Sequence, residues 1–423
     1  MRPLATMAES ALLSLDPRCR LALKFGGVLF TNGESTESTV AEVARFARAL
    51  DIDAVLLPRW GELTLQVDGG GAASAYRVEA NPAGVNMTRV VAARETLAAL
   101  ETGALSAEAA SARVAASATA PPAPTLLFAL AAAVAAVALA VLFGVDHYAA
   151  VAAIFVSAGV GGLLRRAVAR YSDNLFLQPF VAALLAGLIG GIAVRSELSS
   201  SLRLVTVCPC MVLVPGPHVL NSLLDFLAGR IQLGATRMIY AMLIVAAISI
   251  GLLLGLAALG ATLPVDVGSR EITLWEDVLA AGVCVCAYSV FFSTPLSLLP
   301  WPVVVGTVAH GLRWIAMSQF GCGAVSGAFI ACFVVGAVLT PVARRQRMPF
   351  AAIGFASVVS MVPGVLLFRA ASGFVQIAGG AGDELAIIAS TLASVATAFM
   401  IIVAMGLGLV IPKMAVDRWM ARP

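Results

Sequence analysis

Between Leu126 and Ile411 the chain runs through ten long apolar segments, and two of them are interrupted by the same helix-breaking step. Val214-Pro215-Gly216 breaks the fourth segment and Val362-Pro363-Gly364 the ninth, with an offset of 148 residues between them. A helix needs about 20 apolar residues to cross the hydrocarbon layer, and in lipid its backbone polar groups must be satisfied within the chain. Helices are therefore the spanning structure that such segments can form. The same offset lays Leu164-Arg165 on Leu312-Arg313, Leu259-Gly260 on Leu407-Gly408 and Pro264 on Pro412 without a gap. Apolar stretches coincide by chance, but charged and helix-breaking residues do so far less readily. We read two diverged copies of one five-helix membrane unit.

Composition agrees, since 60% hydrophobic and 12% charged residues with a mean hydropathy of +0.95 lie outside the range of soluble domains. The net charge of +3 is small and the basic residues are scattered, which argues against nucleic acid as a partner. The seven cysteines form no Cys-x-x-Cys pair, and Cys208, Cys210, Cys284 and Cys286 sit in apolar segments as small hydrophobes. No metal or cofactor is expected. A Walker-type glycine loop is lacking, which argues against ATP-driven transport.

The first hundred or so residues read as a small α/β cytoplasmic domain, residues 1–116, with no signal peptide expected before it. A helix near Arg20 to Phe30 leads to a turn at Asn32-Gly33, and Ser35 or Thr36 can cap a second helix reaching about Leu50. Short strands follow at Ala54 to Leu57, Glu62 to Val67 and Ala75 to Val78, then helices at Asn86 to Leu100 and Ala107 to Ala116. This domain has no histidine, so a Ser-His-Asp arrangement cannot be assembled within it and an enzyme is not expected. A gating, assembly or regulatory role remains for it.

A proline-rich linker spans 117–125, the first membrane repeat 126–264 and the second 275–423. Lysine and arginine should concentrate in cytoplasmic loops. With the N-domain in the cytoplasm, eleven basic residues (Arg165, Arg166, Arg170, Arg230, Arg237, Arg344, Arg345, Arg347, Lys413, Arg418 and Arg422) fall inside. Five (Arg195, Arg203, Arg270, Arg313 and Arg369) fall outside, which places both termini in the cytoplasm. Five helices per copy is an odd number, so the second copy enters the membrane upside down, as in the inverted repeats of secondary transporters.

Two prolines and a glycine cannot continue an ordinary α-helix. The Pro215-Gly216 and Pro363-Gly364 segments are therefore expected to be discontinuous helices that face each other across a cavity, where a half-helix N-terminus can hold a carboxylate. A proline kink that only shapes packing is the alternative. His218, Asn221 and Asp225 share one helix face. Asp225, with apolar neighbours, is the candidate proton carrier, or else the helix end paired with Arg230. Arg369 corresponds to Asn221 at the offset and could bind a substrate carboxylate or reach the outer interface. His310 reads as a packed interior histidine, and Gly187-x-x-x-Gly191 and Gly323-x-x-x-Gly327 as close-packing sites.

The turn Asn32-Gly33-Glu34-Ser35-Thr36-Glu37 and the run from Cys208-Pro209-Cys210 through Val214-Pro215-Gly216-Pro217-His218 to Asn221 and Asp225 resemble the threonine/serine exporter family. The resemblance implies a soluble N-terminal domain, ten transmembrane helices, a plasma or inner membrane location and export of threonine and serine driven by the proton motive force. Pro217-His218 and the short N-domain depart from that pattern. The expected function is a proton-coupled exporter of small hydrophilic amino acids, with the lipid bilayer and protons as partners and a homo-oligomer compatible with the pattern. Pro215, Gly216, His218, Asn221, Pro363, Gly364 and Arg369 would contact the cargo. Export of small dicarboxylates, or a membrane sensor or assembly protein without transport, are the alternatives.

Overall fold

The computed structural model describes residues 16–67, 74–196, 202–263, 270–346, 348–380 and 384–420. Residues 1–15, Pro264, Arg347 and Arg422 lie outside them.

Helix α1 (Pro17–Thr31) starts where Asp16 accepts a hydrogen bond from the Arg18 amide. It ends at the Asn32-Gly33 turn, with Gly33 in the left-handed region at φ +98°. Ser35 then caps α2 (Thr36–Arg48) by accepting from the Ser38 amide. Strands β1 (Ala54–Arg59), β2 (Gly61–Val67) and β3 (Ser74–Ala80) form an antiparallel sheet in that order. Asn86 and Ser106 cap α3 (Met87–Glu101) and α4 (Ala107–Thr119). Phe25 and Phe46 stack at 4.3 Å between α1 and α2, over the buried Leu56, Leu63 and Leu65 of the sheet.

Every one of the ten expected membrane segments carries a helix or a bent pair of helices. The first copy comprises α5 (Thr125–Leu142), α6 (Tyr148–Tyr171), α7 (Leu177–Arg195), the pair α8 (Leu202–Met211) and α9 (Gly216–Leu227), and α10 (Ile231–Ala257). The second comprises α11 (Leu274–Phe291), α12 (Pro300–Gln319), α13 (Ala324–Arg345), the pair α14 (Phe350–Val358) and α15 (Gly364–Ala378), and α16 (Glu384–Met420). Among the described residues seven single helices are long and apolar enough to cross a membrane, or up to nine spans if each bent pair counts as one. The remaining helix, α12, is 20 residues long but carries His310 and Arg313, which lower its hydropathy. Leu126, Ile239, Leu279, Val304 and Phe399 point outward, as lipid contact requires.

The two copies repeat one packing pattern. Within the first, α6 packs on α5 and α7, and α10 on α7 and α9; within the second, α12 packs on α11 and α13, and α16 on α13 and α15. Helices α5 and α11 join the copies. Small residues carry the tightest crossings. Gly187 and Gly255 meet the facing backbone between α7 and α10, whereas Gly336 and Gly408, not Gly323, do so between α13 and α16.

The loop after α11 holds the N-terminal elements in place. Ser293 takes φ +59°, its carbonyl accepts from the Thr88 hydroxyl and its own hydroxyl accepts from the Ala123 amide, while the Met87 amide donates to the Phe292 carbonyl. A loop without charge is thus covered by α3. Of the tallied basic residues that the structure describes, Arg230 and Arg270 lie between helices, whereas the others, Arg237, Arg313 and Arg369 among them, lie within helices.

Candidate functional site

Both breaks are built from the same chemistry. Pro215 and Pro363 have no amide hydrogen, so the carbonyls of Met211 and Val359 lose their donors four residues on. Those carbonyls accept instead from the amides of Val214 and Val362, at 3.2 and 3.1 Å. The Gly216 and Gly364 amides then bond back two residues to Val214 and Val362, at 2.8 and 2.7 Å. The prolines sit at φ −80°, ψ 62° and φ −76°, ψ 55°, the geometry of an inverse γ-turn, which the fixed proline φ favours. The chain bends by 57° at the first break and 53° at the second.

The breaks pack on each other. A methyl group at Gly216 would fall 2.5 Å from Val359 Cγ2 and 3.6 Å from Val362 Cγ2. One at Gly364 would fall 3.1 Å from Met211 Cγ and 3.4 Å from Val214 Cγ2. Each glycine thus admits the side chains that precede the opposite break. This contact is apolar, and a chamber lined by residues of the first break lies beside it.

That chamber, of about 250 Å³, is lined by Leu213, Val214, Pro215, Pro217 and His218 of the first break, by Arg165, Gln178, Tyr240, Phe128 and Phe291, and by residues 83–85 of the N-terminal elements. The N-terminus of α9 offers it no open donor at its first positions. Gly216 N–H is taken by Val214, Pro217 has none, and the amides of His218 and Val219 bond to the Pro215 carbonyl. The expectation that this half-helix end receives a carboxylate therefore lacks backbone donors there.

His218, Asn221 and Asp225 do share the buried face of α9, and the N-terminal elements cover it. Asn221 Nδ2 donates to the Gly33 carbonyl at 3.2 Å. His218 packs edge-on against Tyr240, with ring centroids 5.2 Å apart, and Tyr240 also meets Trp60 at 5.0 Å. Asp225 Oδ2 lies 3.2 Å from Arg237 Nε, with Arg230 further off at 3.9 Å. Arg237 also donates to the Thr36 hydroxyl at 3.3 Å, and its guanidinium lies 5.1 Å from the Phe30 ring centre. The two sequence segments that carry the family resemblance are therefore in contact. Arg369 lines a different cavity, of about 260 Å³ between α15 and α16, with Ser372, Gln376, Ser390, Thr391 and Ser394.

Behind the Asn32–Thr36 turn two buried carboxyls share one guanidinium. Arg94 lies 2.9 Å from Glu42 and 3.7 Å from Glu34. Burial pushes Glu42 up to about 8, against the pull of Arg94 and with a further push from Glu34. Burial also raises Glu34, opposed first by Arg94 and then by the Ser35 amide. Glu37 of the same turn reaches Lys413 of α16 at 2.7 Å.

Two constellations lie beyond the sequence reading. Arg237 is the closer partner of Asp225, and the turn at Gly229, φ +74°, that folds α10 back on α9 is the signal for it. In the second copy His310 Nε2 is 2.8 Å from Ser360 Oγ and its Nδ1 is 3.5 Å from Asp277 Oδ2, all three buried. His310 is thus hydrogen-bonded to Ser360, with Asp277 near its other ring nitrogen, rather than a merely packed ring. At the offset the first copy has Ala129, Gly162 and Val212 in these places.

Long apolar helices and two matched broken spans define a multi-pass membrane protein of the transporter class. The family model ThrE, described as "Putative threonine/serine exporter", matches residues 20–259, and ThrE_2, described as "Threonine/Serine exporter, ThrE", matches residues 277–415. The chain belongs to the threonine/serine exporter family. No solved structure matches it.

Proposed function

We propose that the chain is a secondary exporter of threonine, serine or similarly small hydrophilic amino acids, driven by the proton motive force and acting without chemistry on its cargo. In this reading ten helices cross the plasma or inner membrane as two inverted five-helix repeats with both termini in the cytoplasm. Alternating access then follows from the halves exchanging conformations around the breaks. The observation that supports it best is the pairing of two γ-turn breaks of equal geometry, packed glycine to side chain, in a chain of this family.

Cargo would meet Pro215, Gly216, His218, Asn221, Pro363, Gly364 and Arg369 as it passes. Asp225 would carry the proton, because protonation releases its hold on Arg237 and so frees α9 from the Thr36 turn. The N-terminal elements would act as a gate, since they cover the polar face of α9.

The test is efflux of labelled threonine from preloaded proteoliposomes, with and without an imposed proton gradient, for the parent chain and Asp225→Asn. Gradient-stimulated efflux that collapses in Asp225→Asn supports both parts of the proposal. Stimulated efflux that persists keeps the exporter and removes Asp225 as carrier. Efflux of a labelled dicarboxylate in place of threonine moves the cargo class, and efflux of neither leaves the sensor reading.

A further inference from the structure

The repeat supplies an internal comparison for Arg165, which falls on Arg313 at the 148-residue offset. The two guanidiniums occupy equivalent places on α6 and α12, but their surroundings differ. In the second copy the buried carboxylate of Asp277 stands against His310, on the same helix as Arg313 and three residues before it; position 277 corresponds to Ala129 in the first. Among the described residues Arg165 forms no ion pair, and its neighbour Arg166 carries a charge of the same sign.

Arg165 lies beside two aromatic rings, 5.7 Å from the Phe128 centroid and 5.5 Å from that of Phe291. Ring faces hold a guanidinium without accepting the hydrogen bonds of its planar fork. Its Nε is enclosed and has no acceptor among the described residues. A half-buried guanidinium whose Nε is enclosed, with no counter-charge among the chamber's described residues, is costly, so this arrangement is that of a site awaiting an anion. Arg165 lines the chamber of about 250 Å³ beside the first break, and no carboxylate is among the described residues that line it.

The same chamber holds groups suited to a cation. Pro217 has no amide hydrogen, so the carbonyl of Leu213 has no donor four residues on. Leu213 lies two residues beyond Met211, the carbonyl end of α8, where the helix dipole favours positive charge. The volume lies below the roughly 300–1,000 Å³ typical of pockets for drug-sized ligands, which suits a smaller molecule. We propose that this chamber binds an α-amino acid, with Arg165 taking its carboxylate and the carbonyl end of α8 its ammonium group; the cargo class rests on the exporter reading above.

The test is titration calorimetry on the full-length chain in detergent, with threonine, threonine amide and succinate as probes, for the parent, Arg165→Gln and Arg165→Lys. The parent should bind threonine about ten times or more tighter than its amide, since a bidentate guanidinium–carboxylate pair is lost in the amide. Arg165→Gln should bind threonine about ten- to one-hundred-fold more weakly and lose the preference, with Arg165→Lys between them. A parent that binds threonine and its amide alike overturns the proposal whether or not the variants fold, as does Arg165→Gln keeping the parent's preference. Succinate bound through Arg165 in place of threonine keeps the carboxylate anchor and overturns the amino-acid cargo. Binding of neither carboxylate overturns both.

Discussion

Arg237 Nε lies 3.2 Å from Asp225 Oδ2, and both side chains are only 1% exposed. A buried pair of this kind stabilises little against an apolar replacement, but removing one member strands the other charge. Arg237→Ala should therefore cost about 3–5 kcal/mol, and the double change Asp225→Asn with Arg237→Gln should cost less than the single one. Thermal unfolding of the full chain in detergent measures both. An Arg237→Ala variant as stable as the parent would show that the pair does not tie α9 to α10.

The glycines at the two breaks should respond unequally to alanine. At Gly216 the added methyl meets a β-branched valine at 2.5 Å, whose rotamers are few. At Gly364 it meets the flexible Met211 at 3.1 Å. Gly216→Ala should cost about 1–3 kcal/mol through overpacking, and Gly364→Ala less. Trimming the contact with Val359→Ala should recover part of the Gly216→Ala loss, and an absence of any recovery would show that the breaks do not interlock.

The helical segments and breaks are legible in the sequence because hydropathy marks a span and proline marks where it cannot continue. The partners of the polar residues are not. Periodicity along α9 groups His218, Asn221 and Asp225, but Arg237 joins them only because the chain reverses at Gly229. Gly33 meets Asn221 across 188 positions, a separation on which no local pattern bears. Asp277 is hidden by its neighbour Glu276, since adjacent acids read as one solvated pair. A step of about 100° around the helix separates them. Glu276 turns outward to close a capping box with Thr273 and to pair with Arg270, and Asp277 turns inward to His310.

Glu42 gives the structure a pH dependence of definite sign. In the unfolded chain its carboxyl titrates near 4.5, while burial holds the folded group near 8, among Arg94, Glu34, Arg45 and Glu101. The folded state then binds more protons than the unfolded one between those values. This contribution is complete below about pH 4.5 and is lost as the pH rises through about 8, with a slope of at most about 1.4 kcal/mol per pH unit. Glu42→Gln should flatten that fall, although Glu34, raised by the same burial, keeps part of it. Unfolding midpoints of the parent and Glu42→Gln between pH 5 and pH 8 check this, and parallel pH profiles would sink it.

His310 stands between Asp277 and Ser360, with one ring nitrogen toward each. If Asp277 orients the ring by accepting from Nδ1–H, then Nε2 is left as the acceptor for the Ser360 hydroxyl. Changing Asp277 alters what Ser360 can gain. A double-mutant cycle of Asp277→Asn and Ser360→Ala should then show a coupling of about 0.5–3 kcal/mol in unfolding free energy, carried through the imidazole. Two sites that merely share an apolar interior should add to within about 0.5 kcal/mol. Repeating the cycle in a His310→Phe background removes the link while keeping a ring, and the coupling should vanish there. Coupling that survives the phenylalanine would mean that Asp277 reaches the second break by another route, for example through Arg313 on the same helix as His310.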